Sequence, residues 1–174
     1  MNGYQTLTNF NYYFEIKNFD RMRSRVKEAV NRKIEGYNCA QAVFGAFAED
    51  LGIDFDTAVK ISSPFGGGMG RLREVCGTVS GMNMVLGMKY GYSDPTVTQE
   101  KTALYKEVQL LANKFKEDNG SIICRELLGL NIKGADKPAP EQRSEKYYKK
   151  RPCSELCKYA ADILEEYINT KGTA

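Results

Sequence analysis

Five cysteines in 174 residues, with no histidine anywhere in the chain, set the chemistry this sequence can support. Four of the five share a local setting. Cys39 follows Asn38, a residue suited to capping a helix, and Cys76 closes the stretch "FGGGMGRLREVC" where an apolar helical pattern begins. Cys124 falls in the first turn after Ser121, and Cys153 follows Pro152, a residue favoured at first helical positions. A helix N-terminus presents unpaired N–H groups and the positive end of the helix dipole, which favours thiolate over thiol. Arg71, Arg73, Arg125 and Arg151 lie close in sequence to three of the four and act in the same direction. Such sulfurs serve as nucleophiles or metal ligands. The lack of histidine removes imidazole-bearing zinc sites, histidine-activated nucleophiles and haem attachment through C-x-x-C-H, so any metal must be held by sulfur, carboxylate or backbone oxygen.

Packing is the competing account, because free cysteine behaves as a small hydrophobe. It fits Cys157 best, on an apolar face between Leu156 and Ala160, and Cys157 reads as a structural cysteine. Cys39 shares a helical side with Val43 and Phe47, so for it and the other three both accounts stay open. The four sulfurs are 37, 48 and 29 positions apart, which matches no compact C-x-x-C knuckle. A shared site has to be assembled by tertiary folding.

The glycines ahead of Cys76 are the second signal. Gly66, Gly67, Gly68 and Gly70 precede Arg71, and Gly77 follows the thiol. The run lacks the Lys-Ser/Thr of a Walker loop and the G-x-G-x-x-G spacing of a dinucleotide turn, so phosphate binding is poorly supported. Gly77 and Gly81, four apart, suit close approach of a neighbouring helix. The earlier run reads as a side-chain-free loop that wraps a bulky centre or exposes the thiol.

Helices must position these residues. "RMRSRVKEAVNRKI" sets Met22, Val26, Ala29, Val30 and Ile34 on one face. "CAQAVFGAFAEDLG" follows Asn38 and is expected to close at Gly52, and Asp54 or Asp56 caps "TAVKISS". "CGTVSGMNMVLGMKYG" reads as a buried helix of small residues, and "TQEKTALYKEVQLLANKFKEDNG" as a long amphipathic one with Leu104, Val108, Leu111, Ala112 and Phe115 inward. Ser121 is expected to cap "IICRELLG", a polar loop runs from Asn131 to Arg151, and "PCSELCKYAADILEEYI" forms the last helix. The expected architecture is all-α, a single-domain helical bundle of about five to seven helices spanning 21–174, with residues 1–20 as an N-terminal extension. No internal repeat is evident.

Composition narrows the function classes. The net charge of +3 is spread, with acids among the bases throughout, which argues against nucleic acid as partner. The dense basic run "EKYYKKR" reads as a solvated loop. The most apolar stretch, Val79 to Met88, is too short and too polar to span a membrane, and the start of the sequence lacks a secretory pattern, so a cytoplasmic location is expected. Glu35, Asp54, Asp56 and Glu74 each have an ordinary surface or capping role and suggest no acid–base pair.

At these residues the sequence resembles a known family. "GYNCAQAVFGAFAEDLG", "FGGGMGRLREVCGTVSGMNMVLGMKYG", "CRELLG" and "CSELCKYAADILEE" are similar to the segments of the C_GCAxxG_C_C family of redox-active four-cysteine proteins, from about Val26 to Tyr167. The resemblance implies that Cys39, Cys76, Cys124 and Cys153 are the four redox or metal-binding cysteines and leaves Cys157 over. Two departures are visible: Cys76 precedes Gly77, and Thr78 stands where the motif has alanine. The same segments are similar to the cluster-bearing part of split-Soret cytochromes, which implies an iron–sulfur centre without haem.

Three functions follow as expectations. One is electron transfer by an iron–sulfur cluster, [2Fe–2S] in the first instance, with a redox partner the sequence does not identify. Another is metal-free thiol–disulfide chemistry. The third is a structural or sensor zinc site with four cysteine ligands. Oligomeric state is left open, homo-oligomers included.

Overall fold

The computed structural model describes residues 24–171, so the N-terminal extension, and Met22 on the first helical face, lie outside the described residues. The architecture is all-α. Helices α1 (Ser24–Glu35), α2 (Cys39–Ala46), α3 (Phe55–Ser62) and α4 (Gly77–Tyr90) come first. They are followed by α5 (Thr98–Asn119), α6 (Cys124–Leu127), α7 (Glu145–Lys150) and α8 (Cys153–Lys171). Short 3-10 segments at Glu49–Leu51 and Ser63–Phe65 and a glycine turn at Gly66–Met69 complete the order.

The core forms where α2 packs between α1 and α4, with α8 laid along α1 and α5 closing against α4 and α8. Val26, Val43, Phe44, Met82, Leu86, Phe115 and Leu164 are buried there. Close approach of α2 and α4 depends on absent side chains. A Cβ on Gly81 would lie 2.8 Å from the Ala40 carbonyl oxygen, and one on Gly77 would lie 2.8 Å from the Phe65 carbonyl oxygen and 3.0 Å from Ala40 N. That bears out the close-approach reading of this glycine pair. No helix among the described residues is long and apolar enough to cross a membrane.

Several local expectations change. The second helix stops at Ala46, and the chain continues through a 3-10 turn to Gly52, whose φ of +67° ends it in the left-handed region. Asp54 is the cap of α3, its carboxylate accepting from Thr57 N at 2.9 Å. Ser121 does not cap α6, because Ile123 occupies the cap position. The Ser121 hydroxyl instead accepts from Ile123 N at 2.9 Å and donates to Glu126. The loop expected over 131–151 contains α7, whose start is capped by Ser144 accepting from Tyr147 N at 3.3 Å. Its polar, tyrosine-rich sequence has no apolar periodicity to reveal a helix.

Candidate functional site

Each of the four cysteines is set by local chemistry at a helix start. Asn38 caps α2 through a reciprocal box: its Oδ1 accepts from Ala40 N and Gln41 N, both at 3.0 Å, and Gln41 Oε1 accepts from Asn38 N at 3.0 Å. Cys39 is thereby the first residue of α2. Pro152 precedes Cys153 at the start of α8, and its carbonyl accepts the first helical bond from Leu156 N at 2.9 Å. Cys76 is the cap residue of α4, and Cys124 opens α6.

Cys76 and Cys124 are tied together by a short antiparallel bridge between Val75 and Ile123. Cys76 N donates to the Ile122 carbonyl at 2.8 Å, and Cys124 N donates to the Glu74 carbonyl at 2.7 Å. Against this bridge lies the glycine turn. Five consecutive residues there, Gly67, Gly68, Met69, Gly70 and Arg71, have φ between +58° and +67°, and Arg73 follows at +61°. The backbone thus makes a left-handed turn whose carbonyls at Gly67 and Gly68 accept from Arg73 N and Glu74 N. The glycine run is a defined cradle of backbone.

These elements bring all four cysteines to one cavity of about 200 Å³. Its wall also includes the backbone of Gly66, Gly67, Gly68 and Gly77, whereas Gly70 does not line it. Five cations face the cavity, Lys33, Arg71, Arg73, Arg143 and Arg151, against one carboxylate, Glu141. Arg73 is 3% exposed; it donates to Cys124 Sγ at 3.7 Å and shares Asp136 with Arg71. The basic run expected to be a solvated loop supplies Tyr147 and Arg151 to the wall. Of the four arginines expected near the cysteines, Arg125 instead pairs with Glu74 at 2.5 Å.

The electrostatics differ from what helix ends alone predict. Cys39 is held well below the ordinary thiol range, first by S–H donation from Cys153 and then from Cys157, with Lys33 and Arg143 adding to the effect against burial. The other thiols move the opposite way. Burial pushes Cys76 up to about 12, and the charge on Cys39 adds to that rise. Burial also raises Cys124 despite Arg73. Cys153 is raised first by its hydrogen bond to Cys39 and then by burial. Desolvation therefore outweighs the helix N-terminus at Cys76 and Cys124, and the contact with Cys39, with burial second, does so at Cys153.

Cys157 is fully buried in the core one turn beyond Cys153. Its sulfur is nevertheless part of the thiol group: it donates to the Cys39 carbonyl at 3.9 Å and toward the Cys39 sulfur. Lys33, Glu141, Arg143 and Tyr147 are among the wall residues that sequence reasoning missed. One signal for Lys33 was present, since it sits seven residues after Val26 and three after Val30, on the buried face of α1.

A brief iodoacetamide pulse at pH 7 on reduced, metal-free protein is expected to label Cys39 first. Thiolate is the reacting form, so peptide mapping by mass spectrometry should find Cys76 and Cys124 modified at least about tenfold more slowly. Preferential labelling of Cys76 would contradict the electrostatics described.

The fold and site define an all-α protein whose four dispersed cysteines meet at one cation-lined cavity. The family model described as "Putative redox-active protein (C_GCAxxG_C_C)" matches residues 37–167, and the chain belongs to this family. No curated protein and no solved structure matches it.

Proposed function

We propose that Cys39, Cys76, Cys124 and Cys153 hold an iron–sulfur cluster and that the protein carries single electrons. The observation that carries this reading is the delivery of four thiols from four separate segments to one cation-lined cavity. Four thiolates are the usual ligand complement of such a cluster. When bound, the cluster would supply one-electron storage.

The residues present fit that group. A cluster with four thiolate ligands is anionic, and buried Lys33 and Arg73 supply compensating charge. The glycine backbone gives an inorganic group room to approach without side-chain collision. A single zinc bound at about 2.3 Å would draw its four sulfurs to about 3.8 Å from one another. Among the described residues no group of three or more His, Cys, Asp or Glu side chains comes together closely enough to hold one ion. Cys39 and Cys153 are in contact, while Cys76 and Cys124 reach the same cavity from the bridge, an arrangement that suits an occupant of more than one atom.

Metal-free dithiol chemistry is the second reading, and the contact of Cys39 with Cys153 and Cys157 favours it. There the Cys39 thiolate would attack a disulfide of a partner, and Cys153 would resolve the mixed disulfide, leaving the partner's two thiols reduced and a Cys39–Cys153 disulfide. The two readings separate on protein made and purified without oxygen. Iron and acid-labile sulfide present at equal amounts, at least two of each per chain, support the cluster. Colourless protein whose alkylated mass changes on reduction supports the dithiol, and stoichiometric zinc supports neither.

A further inference from the structure

Lys33 is the least expected residue on the cavity wall. It is 1% exposed, and among the described residues none of the ion pairs includes it. The face of α1 that carries it otherwise buries Val26, Ala29, Val30 and Ile34. Among the described residues, its ammonium donates one hydrogen bond, from Nζ to the Tyr37 carbonyl at 3.3 Å. That carbonyl also accepts from Arg143 Nη1 at 3.1 Å, so a second cation is fixed beside the first.

A buried ammonium with no carboxylate paired to it among the described residues depends on the sulfur side of the cavity for its counter-charge, and a neighbouring guanidinium adds to that demand. A methionine or leucine would satisfy the packing of this face with no such demand. The groups facing Lys33 that can carry negative charge are the Cys39 and Cys157 sulfurs and the Tyr147 hydroxyl. Two of these three are thiols of the same cluster of side chains. The charge on Lys33 is therefore matched only when the cavity side of the protein is negative.

We infer that Lys33 is the internal counter-ion for an anionic occupant of the four-cysteine cavity, a positioning residue whose fixed charge retains the cluster and favours its reduced form. The inference rests on the cluster reading above. Reduction adds one electron to the cluster and breaks no bond, so the reduced site is more negative by one charge. A fixed cation stabilises that state more than the oxidised one and raises the potential.

The test compares Lys33→Met and Lys33→Arg with the unaltered full-length chain, each loaded anaerobically with ferrous iron and sulfide. Lys33→Met is expected to lose iron to a chelator at least about tenfold faster. In a dithionite titration its ratio of reduced to oxidised cluster at a fixed potential should fall about tenfold, a shift of about 59 mV for one electron. Lys33→Arg should stay near the unaltered protein in both. Melting of the metal-free, reduced form of Lys33→Met reads any structural role of Lys33 separately from its effect on the cluster. A lower melting temperature with unchanged iron retention and potential would make Lys33 merely structural and overturn the inference. Failure of the unaltered chain to take up iron and sulfide would instead overturn the cluster reading.

Discussion

Gly68→Ala is expected to destabilise the reduced, metal-free protein by roughly 2–5 kcal/mol, the sum of a left-handed backbone cost and overpacking. Gly68 has a φ of +67°, and a Cβ there would lie 2.7 Å from the Cys124 Cβ and 2.8 and 2.9 Å from Glu74 N and O. Two of those three neighbours are backbone atoms of the bridge that joins Cys76 to Cys124, so they cannot swing aside without moving both thiols. Gly70→Ala is the control. Its φ is +58°, but its nearest neighbour would be the Pro64 carbonyl oxygen at 3.9 Å. Only the backbone term remains there, about 1–2 kcal/mol. Thermal melts should show Gly68→Ala falling by roughly 10 °C and Gly70→Ala by only a few degrees. Equal losses in the two variants would mean that the turn does not press on the Cys76–Cys124 bridge.

The same turn holds three non-glycine residues in the left-handed region, Met69, Arg71 and Arg73. Each costs about 1–2 kcal/mol relative to ordinary helix or strand geometry. Two of the three are the arginines that clasp Asp136, and Arg71 also donates to the Lys137 carbonyl and accepts from Asp136 N through its own carbonyl. Left-handed backbone is what turns both guanidinium groups toward Asp136 while the amides of Arg73 and Glu74 close back on Gly67 and Gly68. The strained segment and the segment after α6 thus hold each other, and both border the cavity. Strain of this kind persists where surrounding contacts over-determine it, and it concentrates at functional sites.

The helices were legible because their punctuation is local. Asn38, Asp54 and Pro152 act within one turn of themselves, so the helix starts that place Cys39 and Cys153 could be read without knowing the tertiary fold. The family segments were legible for the same reason. What the sequence hid depends on distant neighbours. Helix ends are visible in sequence, whereas the burial that raises Cys76 and Cys124 and the Cys39 contact that raises Cys153 are not. The wall contributions of Arg143 and Tyr147 arise from docking of the segment around α7 onto the end of α1, where Tyr148 donates to the Ile34 carbonyl at 3.1 Å. Propensity accounts for the three glycines of the left-handed run, whereas Met69 and Arg71 disfavour that region, and Arg71 is held there by distant partners, Asp136 and the Lys137 carbonyl. Lys33 was visible as a charge at a core position of α1, a local conflict of the kind that marks function.

Replacing the cysteines one at a time should separate ligands from neighbours. Serine at Cys39, Cys76, Cys124 or Cys153 is expected to cut the iron retained per chain at least about tenfold, since each variant removes one of four thiolates from the wall. Cys157→Ala should retain the iron. Its cost is in stability, about 1 kcal/mol for a small buried side chain, because its sulfur is fully buried in the core. The contrast has a sharp point at the C-terminal helix, where Cys153 and Cys157 are one turn apart and both approach Cys39. Cys153 lines the cavity and Cys157 does not, so a ligand role follows the cavity wall and not proximity to Cys39. Iron counted after anaerobic loading, together with the visible spectrum, measures the outcome. Loss of iron in Cys157→Ala with retention in Cys153→Ser would transfer the fourth ligand to Cys157 and move the centre from the cavity into the core between α2 and α8.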